Sequence, residues 1–184
     1  MIETILLALI FAKLGGYKIK PLFKDWPIYL VLAFALIYIL LEIAVFNGNY
    51  SVIGFSTAYK ILYLSAFLAM IIKYNLYRNA IAGSVFVLAG GVMNDVAIAV
   101  NNGKMPVFPT LSYLTGYASA DAFTKVNDIH ILGSSAVNYK FLTDIIDIGY
   151  SILSIGDVFI RMFPFIIVFY AVKSCNVKKE KALI

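Results

Sequence analysis

Asn94 and Asp95 interrupt an apolar stretch that runs from Ala80 to Val100. Further along, Asn101, His130, Asp144, Asp157 and Arg161 add side chains that can accept, donate or relay protons. An ionisable group at the centre of a lone membrane helix costs on the order of 3 kcal/mol, so each needs a partner or a function. Two chemistries are open to this set. In the first, Asp157 and a second carboxylate, Asp95 or Asp144, share a proton. Like charges close together keep one acid protonated while the other stays ionised, which supplies an acid and a base to activate water. In the second, Asn94, Asp95, Asn101, His130, Asp144, Asp157 and Arg161 line a polar site that captures a small solute. Arg161 stands four residues after Asp157 and can pair with it on one helix. That pairing would hold Asp157 ionised and oppose the hydrolytic chemistry.

Plainer roles compete for the same residues. Glu42 with Lys60, and Asp157 with Arg161, can be ion pairs that hold helices together, and Lys60 can snorkel outwards. A single histidine such as His130 is commonly just solvated. Asp144 and Asp147 can cap or solvate a short helix, and Met93 and Met105 read as packing residues. One cysteine, Cys175, allows neither an internal disulfide nor a thiolate cluster, and one histidine rules out a multi-histidine metal site. No metal and no cofactor is expected.

The elements that must position these residues are apolar. The chain of 184 residues is 62% hydrophobic and 14% charged, with a mean hydropathy of +0.89. Soluble domains are near half apolar and a quarter charged, so this chain has too little polar surface to cover a water-facing globule. It reads as an all-α, polytopic integral membrane bundle in one domain over residues 1–184, with the lipid bilayer as its first partner. The net charge of +5 sits in short lysine clusters between apolar runs. That is a topology pattern and not a nucleic-acid surface.

Five spans are expected: Ile2 to Leu14 or as far as Tyr17, Trp26–Phe46, Val52–Ile72, Ala80–Val100 and Ser154–Lys173. The first is short against the roughly 20 residues a crossing needs. Glu3 and the lack of a basic leader mark it as a retained span and not a signal peptide. Residues 101–153 are too polar to span and too apolar to be a free linker. Short interfacial helices or a re-entrant piece are expected there. The turn Asn101-Asn102-Gly103 should end the fourth span, with Gly103 as the left-handed residue. Lysines at 13, 18, 20 and 24, then Lys73 and Arg78, then Lys178, Lys179 and Lys181 place alternate connections in the cytoplasm. The N-terminus and residues 101–153 then face outwards. At about 1.5 Å rise per residue, Glu42, Lys60, Asp95, Asp157 and Arg161 fall in the outer halves of four helices. They are expected to share one polar level.

Two resemblances follow from the motifs. Asn101-Asn102-Gly103-Lys104-Met105-Pro106-Val107 resembles the Asn-Gly-Gly-Arg-Met-Pro-Val signature of a family of small bacterial multi-pass membrane proteins of unknown function. His130, Leu142-Thr143-Asp144 and Ser154-Ile155-Gly156-Asp157 match that family's later features in order. Asn102, Lys104 and Thr143 depart from it. The resemblance implies a bacterial cytoplasmic membrane location and groups Asn94, Asn101, His130, Asp144 and Asp157 as one constellation, but it supplies no activity. A second resemblance is to lipoprotein signal peptidase, a membrane aspartyl protease. It rests on Gly90-Gly91-Val92-Met93-Asn94 and on Ser154-Ile155-Gly156-Asp157. The protease pattern would place its first catalytic aspartate at Ala97, so Asp95 or Asp144 would have to serve. The expected function is small-solute binding or transport, or an accessory subunit docking a membrane-protein partner. The alternative is an aspartate-dependent membrane hydrolase.

Overall fold

The computed structural model describes residues 2–119, 123 and 128–181. Its helices among these are α1 (Ile2–Leu14), α2 (Trp26–Phe46), α3 (Ser56–Ala66), α4 (Leu68–Tyr74), α5 (Tyr77–Val100), α6 (Leu111–Thr115) and α7 (Ile155–Lys181). Three helical stretches are long and apolar enough to cross a membrane: Trp26–Phe46, Tyr77–Val100 and Ile155–Val177.

The other two expected spans take different forms. α1 has 13 residues and stops at Leu14, the nearer of its two expected ends, without the extension to Tyr17. Gly16, at φ +82°, turns the chain left-handed, and the Tyr17 N–H closes back on the Ala12 carbonyl at 3.0 Å. The stretch expected as Val52–Ile72 is a 3-10 helix over Tyr50–Phe55, then α3, then α4. The join tightens at Phe67, whose N–H bonds the Leu64 carbonyl, three residues back, at 3.2 Å. Ser65 Oγ donates to the Ile61 carbonyl at 2.8 Å, and such back-bonding bends helices. Packing keeps the join closed, because Phe67 is fully buried and meets Tyr63 and Phe163 edge-on at 5.3 and 6.2 Å.

The chain forms two compact units. The first is Met1–Tyr38, Ala58–Phe86 and Arg161–Ile184. Its core is built at helical spacing from α1, α2, the α3–α4 pair and α7: Ile5, Ala8 and Ala12; Ile28, Val31 and Ala35; Tyr63, Phe67 and Met70; Val168, Ala171 and Val172. Tyr59 Oη donates to the Phe34 carbonyl at 2.6 Å, so a buried phenol joins α3 to α2. The Arg161 guanidinium pairs with Glu3 of α1. This replaces the expected pairing with Asp157. Proximity along one helix offers an i,i+4 partner, but α1 brings a carboxylate to the guanidinium on this side of α7.

The second unit is Ile39–Thr57 and Val87–Ile160. The described residues between 101 and 153 hold α6 and four short strands: β1 (Met105–Val107), β2 (His130–Leu132), β3 (Ile146–Asp147) and β4 (Ile152–Leu153). β1 and β2 run parallel with Met105 opposite His130, and β3 and β4 run antiparallel. Asp144 bridges the far side of β1 at Val107. Interfacial helices alone are therefore not the form of this segment. Non-helical backbone must pair somewhere. Here the Met105 N–H bonds Ile129 O at 2.8 Å, the Gly133 N–H bonds Val107 O at 2.8 Å, and the Asp144 N–H bonds Pro106 O at 3.1 Å. Pro106 cannot donate, but its carbonyl still accepts.

α5 ends at Val100, as its sequence suggests, but the residue that closes it comes one position earlier than expected. The Gly103 N–H reaches back to Ile98 O at 2.9 Å, which makes Asn102, at φ +57°, the left-handed residue that closes the helix. Gly103 is itself at φ +78°. A β-branched residue is strained there by about 1–2 kcal/mol. Gly103→Val is expected to lower the thermal midpoint in detergent, while Asn102→Gly should leave it near wild type. Equal midpoints for Gly103→Val and wild type would refute this.

Candidate functional site

Asn94, Ser154 and Asp157 form one hydrogen-bonded group in the second unit. Ser154 stands at the start of α7, where the first turn has N–H groups without helical acceptors. Its Oγ accepts from the Asp157 N–H at 2.9 Å, and the Asp157 carboxylate faces the Ser154 N–H at 3.5 Å. This is a capping box written Ser-x-x-Asp. α5 adds Asn94, whose Oδ1 accepts from Ser154 Oγ at 2.7 Å and whose Nδ2 donates to Asp157 Oδ1 at 3.3 Å. The two helices touch through Gly90 and Gly156. A Cβ on Gly156 would collide with Asn94 Oδ1 and the Gly90 carbonyl, and one on Gly90 would meet Ile160 Cγ1 at 2.9 Å. Ser-Ile-Gly-Asp thus has a structural content: a cap, a close contact and a carboxylate held by an amide.

The second group is Asp128, His130 and Asp144. β2 carries His130 beside β1, and the bridge at Val107 sets Asp144 on the other side of β1. His130 Nδ1 lies 2.6 Å from Asp128 Oδ2, and Nε2 lies 3.6 Å from Asp144 Oδ2. The histidine side chain is 40% exposed and that of Asp144 only 5%. The His130 hydrogen bond holds the Asp128 carboxyl below the usual carboxylate range, against an opposing push from burial. The His130 charge, the Ile129 N–H and the Lys104 charge act in the same lowering direction. Lys104 Nζ also donates to the Asp128 carbonyl at 3.2 Å. Asp128 fixes which ring nitrogen bears a proton, and Nε2 is then turned to a buried carboxylate. An imidazolium would satisfy both acids; a neutral ring leaves a net negative, half-open site.

Asn101 and Asp147 tie backbone together. The Asn101 amide donates to Ala97 O at 2.8 Å and to Asn138 O at 3.0 Å, and its Oδ1 accepts the Asn138 N–H at 2.9 Å. Asp147 takes the N–H groups of Thr110, Ser112 and Gly149 at 2.6, 2.8 and 2.8 Å, and the Ser112 hydroxyl at 2.6 Å. It caps α6 from a distant strand. Burial pushes its carboxyl up, but these bonds outweigh it and hold the pKa at about 2.

Two groups escaped the sequence reading. Asp128 sits in a polar loop and becomes visible only when β2 turns His130 back to it. Tyr117 packs edge-on to Phe46 at 5.2 Å, over the end of α2. Burial first, then the charge and a hydrogen bond of Glu42, drive its hydroxyl far above the usual phenol range. The order Glu42, Phe46 at i,i+4 was the available signal; its distant partner was not.

Asp95 does not join the Asn94 group. It is exposed, on the face of α5 that also presents Leu88, Val92 and Val96. One residue further along a helix is a rotation of about 100°, and this separates Asp95 from the Gly90–Asn94–Ala97–Asn101 face. Arg161 is engaged with Glu3. Lys60 is exposed. Among the described residues, no three His, Cys, Asp or Glu side chains are arranged to hold a metal ion.

No curated protein and no solved structure matches the chain. A protein-family model described as a family of unknown function (DUF5317) matches residues 20–169. With that match covering most of its length, the chain belongs to the DUF5317 family.

Proposed function

We propose that this protein is a five-span protein of the bacterial cytoplasmic membrane that binds a small cationic solute on its outer side. The crossings are α1, α2, the α3–α4 pair, α5 and α7, with the N-terminus outside and the C-terminus in the cytoplasm. The lysine distribution supports this orientation. α3 and α4 together run from Ser56 to Tyr74, close to the roughly 20 residues a crossing needs. With Cys175→Ser as background, Asn49→Cys and Ser119→Cys are expected to react with an impermeant thiol reagent on intact cells, and Lys20→Cys and Lys179→Cys are not. Labelling at position 20 would reverse the orientation.

The observation that carries the binding reading is the buried Asp144 carboxylate facing the half-exposed His130 ring, with Asp128 on the other ring nitrogen. While the ring is neutral, the two carboxylates around it attract a cation, and the exposed ring gives it access. The test is a thermal-shift panel on purified protein in nanodiscs, using ammonium, choline, putrescine and arginine against acetate and phosphate. At least one cation should raise the midpoint of wild type and fail to do so for Asp144→Asn. A panel without effect, or an unchanged response in Asp144→Asn, rejects the reading. Stoichiometric co-purification of a membrane protein with an inert panel would favour an accessory subunit. Turnover of a labelled peptide that Asp157→Asn abolishes would establish the aspartate-dependent hydrolase instead.

A further inference from the structure

Five lysines from three separate elements surround one cavity of about 1000 Å³ in the first unit. Lys13 comes from the last turn of α1, Lys18, Lys20 and Lys24 from the connection to α2, and Lys73 from the last turn of α4. Asp25 is the acid on this wall among the described residues, and it accepts a hydrogen bond from Tyr74 Oη at 2.7 Å. Five lysines against one aspartate leave a formal charge of +4 around the opening. We propose that this cavity binds a phosphate-bearing anion.

A topology signal needs positive charge in a connection; it does not need charges from three elements to converge on a concavity. Like charges gathered around one concavity repel, so convergence is costly unless an anion offsets it. The connection is also built to hold its lysines in place. Leu22 is fully buried, and residues Leu22–Lys24 form a 3-10 turn. The Lys18 N–H donates to Asn176 Oδ1 at 2.9 Å, and Asn176 Nδ2 returns a bond to the Lys18 carbonyl at 3.0 Å. α7 thereby clamps the loop backbone while all five lysines stay exposed. Lysine binds phosphate as a point charge on a flexible stem, which suits an opening of this width. Tyr17, also on the wall, adds a hydroxyl donor. This site is independent of the proposed solute site at His130.

Phosphate reaches such a cavity either as a lipid headgroup or as a soluble anion, and the test separates them. Purified protein is placed in nanodiscs of phosphatidylcholine and titrated with inorganic pyrophosphate. In parallel it is placed in nanodiscs with increasing phosphatidylglycerol. The thermal midpoint and lipid retention by native mass spectrometry are read in both. A rise with pyrophosphate assigns a soluble phosphate; a rise with phosphatidylglycerol alone assigns a headgroup. At roughly fivefold per lysine, Lys18→Gln/Lys20→Gln/Lys24→Gln should weaken the response on the order of a hundredfold. The corresponding triple Arg variant should retain it, and Lys60→Gln should leave it unchanged. Asp25→Asn should tighten binding about fivefold, a gain that misfolding cannot imitate. The proposal is overturned if neither arm moves the midpoint, if the triple Gln variant responds like wild type, if Lys60→Gln loses the response, or if Asp25→Asn does not tighten it.

Discussion

Gly90→Ala and Gly156→Ala are each expected to destabilise the protein by about 2–3 kcal/mol, while Gly91→Ala is expected to be neutral or stabilising. The contrast rests on one contact. A methyl at Gly90 runs into the Gly156 carbonyl and lies 3.1 Å from the Ile160 nitrogen, so backbone would have to move. A methyl at Gly156 runs into Asn94 as well and would push its amide off Asp157. A Cβ at Gly91 meets nothing within 4 Å. Alanine there only removes glycine's conformational penalty in a helix, worth about 0.5–1 kcal/mol. Small residues let helices approach closely where lipid gives no hydrophobic drive for association. Thermal unfolding of the three variants in one detergent decides the matter. Identical midpoints for Gly90→Ala and Gly91→Ala would mean that the helices do not meet at this point. Gly90 is thereby assigned to packing and Gly91 is not; that role is separate from the protease resemblance the pair also carries.

Asp147→Ala should cost about 2 kcal/mol at neutral pH, because it removes the cap of α6 and leaves the N–H groups of Thr110, Ser112 and Gly149 without their acceptor. The same residue gives the protein a dependence on acid. Its folded pKa of about 2 lies below the ordinary value of 3.8, so the unfolded chain binds the proton more readily. The contribution is therefore complete above the unfolded value and is lost as pH falls through the folded one. Wild type should lose stability between about pH 4 and 2 more steeply than Asp147→Ala, which has no carboxyl to titrate there. Parallel midpoint curves for the two proteins across that window would reject the assignment. Asp128, held low by His130, adds to the slope in the same direction and is common to both proteins.

Much of the candidate site was visible as residue types without being visible as groups. Asn94 and Asp157 were marked by polarity inside apolar runs, and the structure joins them through Ser154. Ser154 stands in the Ser-Ile-Gly-Asp motif but carries no site role there, because a serine before a helix is an ordinary cap. Asn101 was read both for its turn and as a ligand candidate, and its side chain instead holds Asn138, 37 residues away. The strands of residues 101–153 left no periodic trace, since two or three residues are too few to show alternation.

Composition and local pattern alone determined the helical class, the apolar stretches of α2, α5 and α7, and the turn that closes α5. Each depends on residues within a few positions of one another: a run of apolar side chains, or a Gly or Asn able to turn left-handed. Only the tertiary structure decided the pairings. Arg161 had Asp157 within reach on its own helix and pairs instead with Glu3, 158 residues distant in sequence. Asn94 and Asp95 are adjacent and equally polar, but a turn of about 100° gives one of them to α7 and leaves the other exposed. Those choices depend on which helix faces come together, a property of packing that no local stretch of sequence carries.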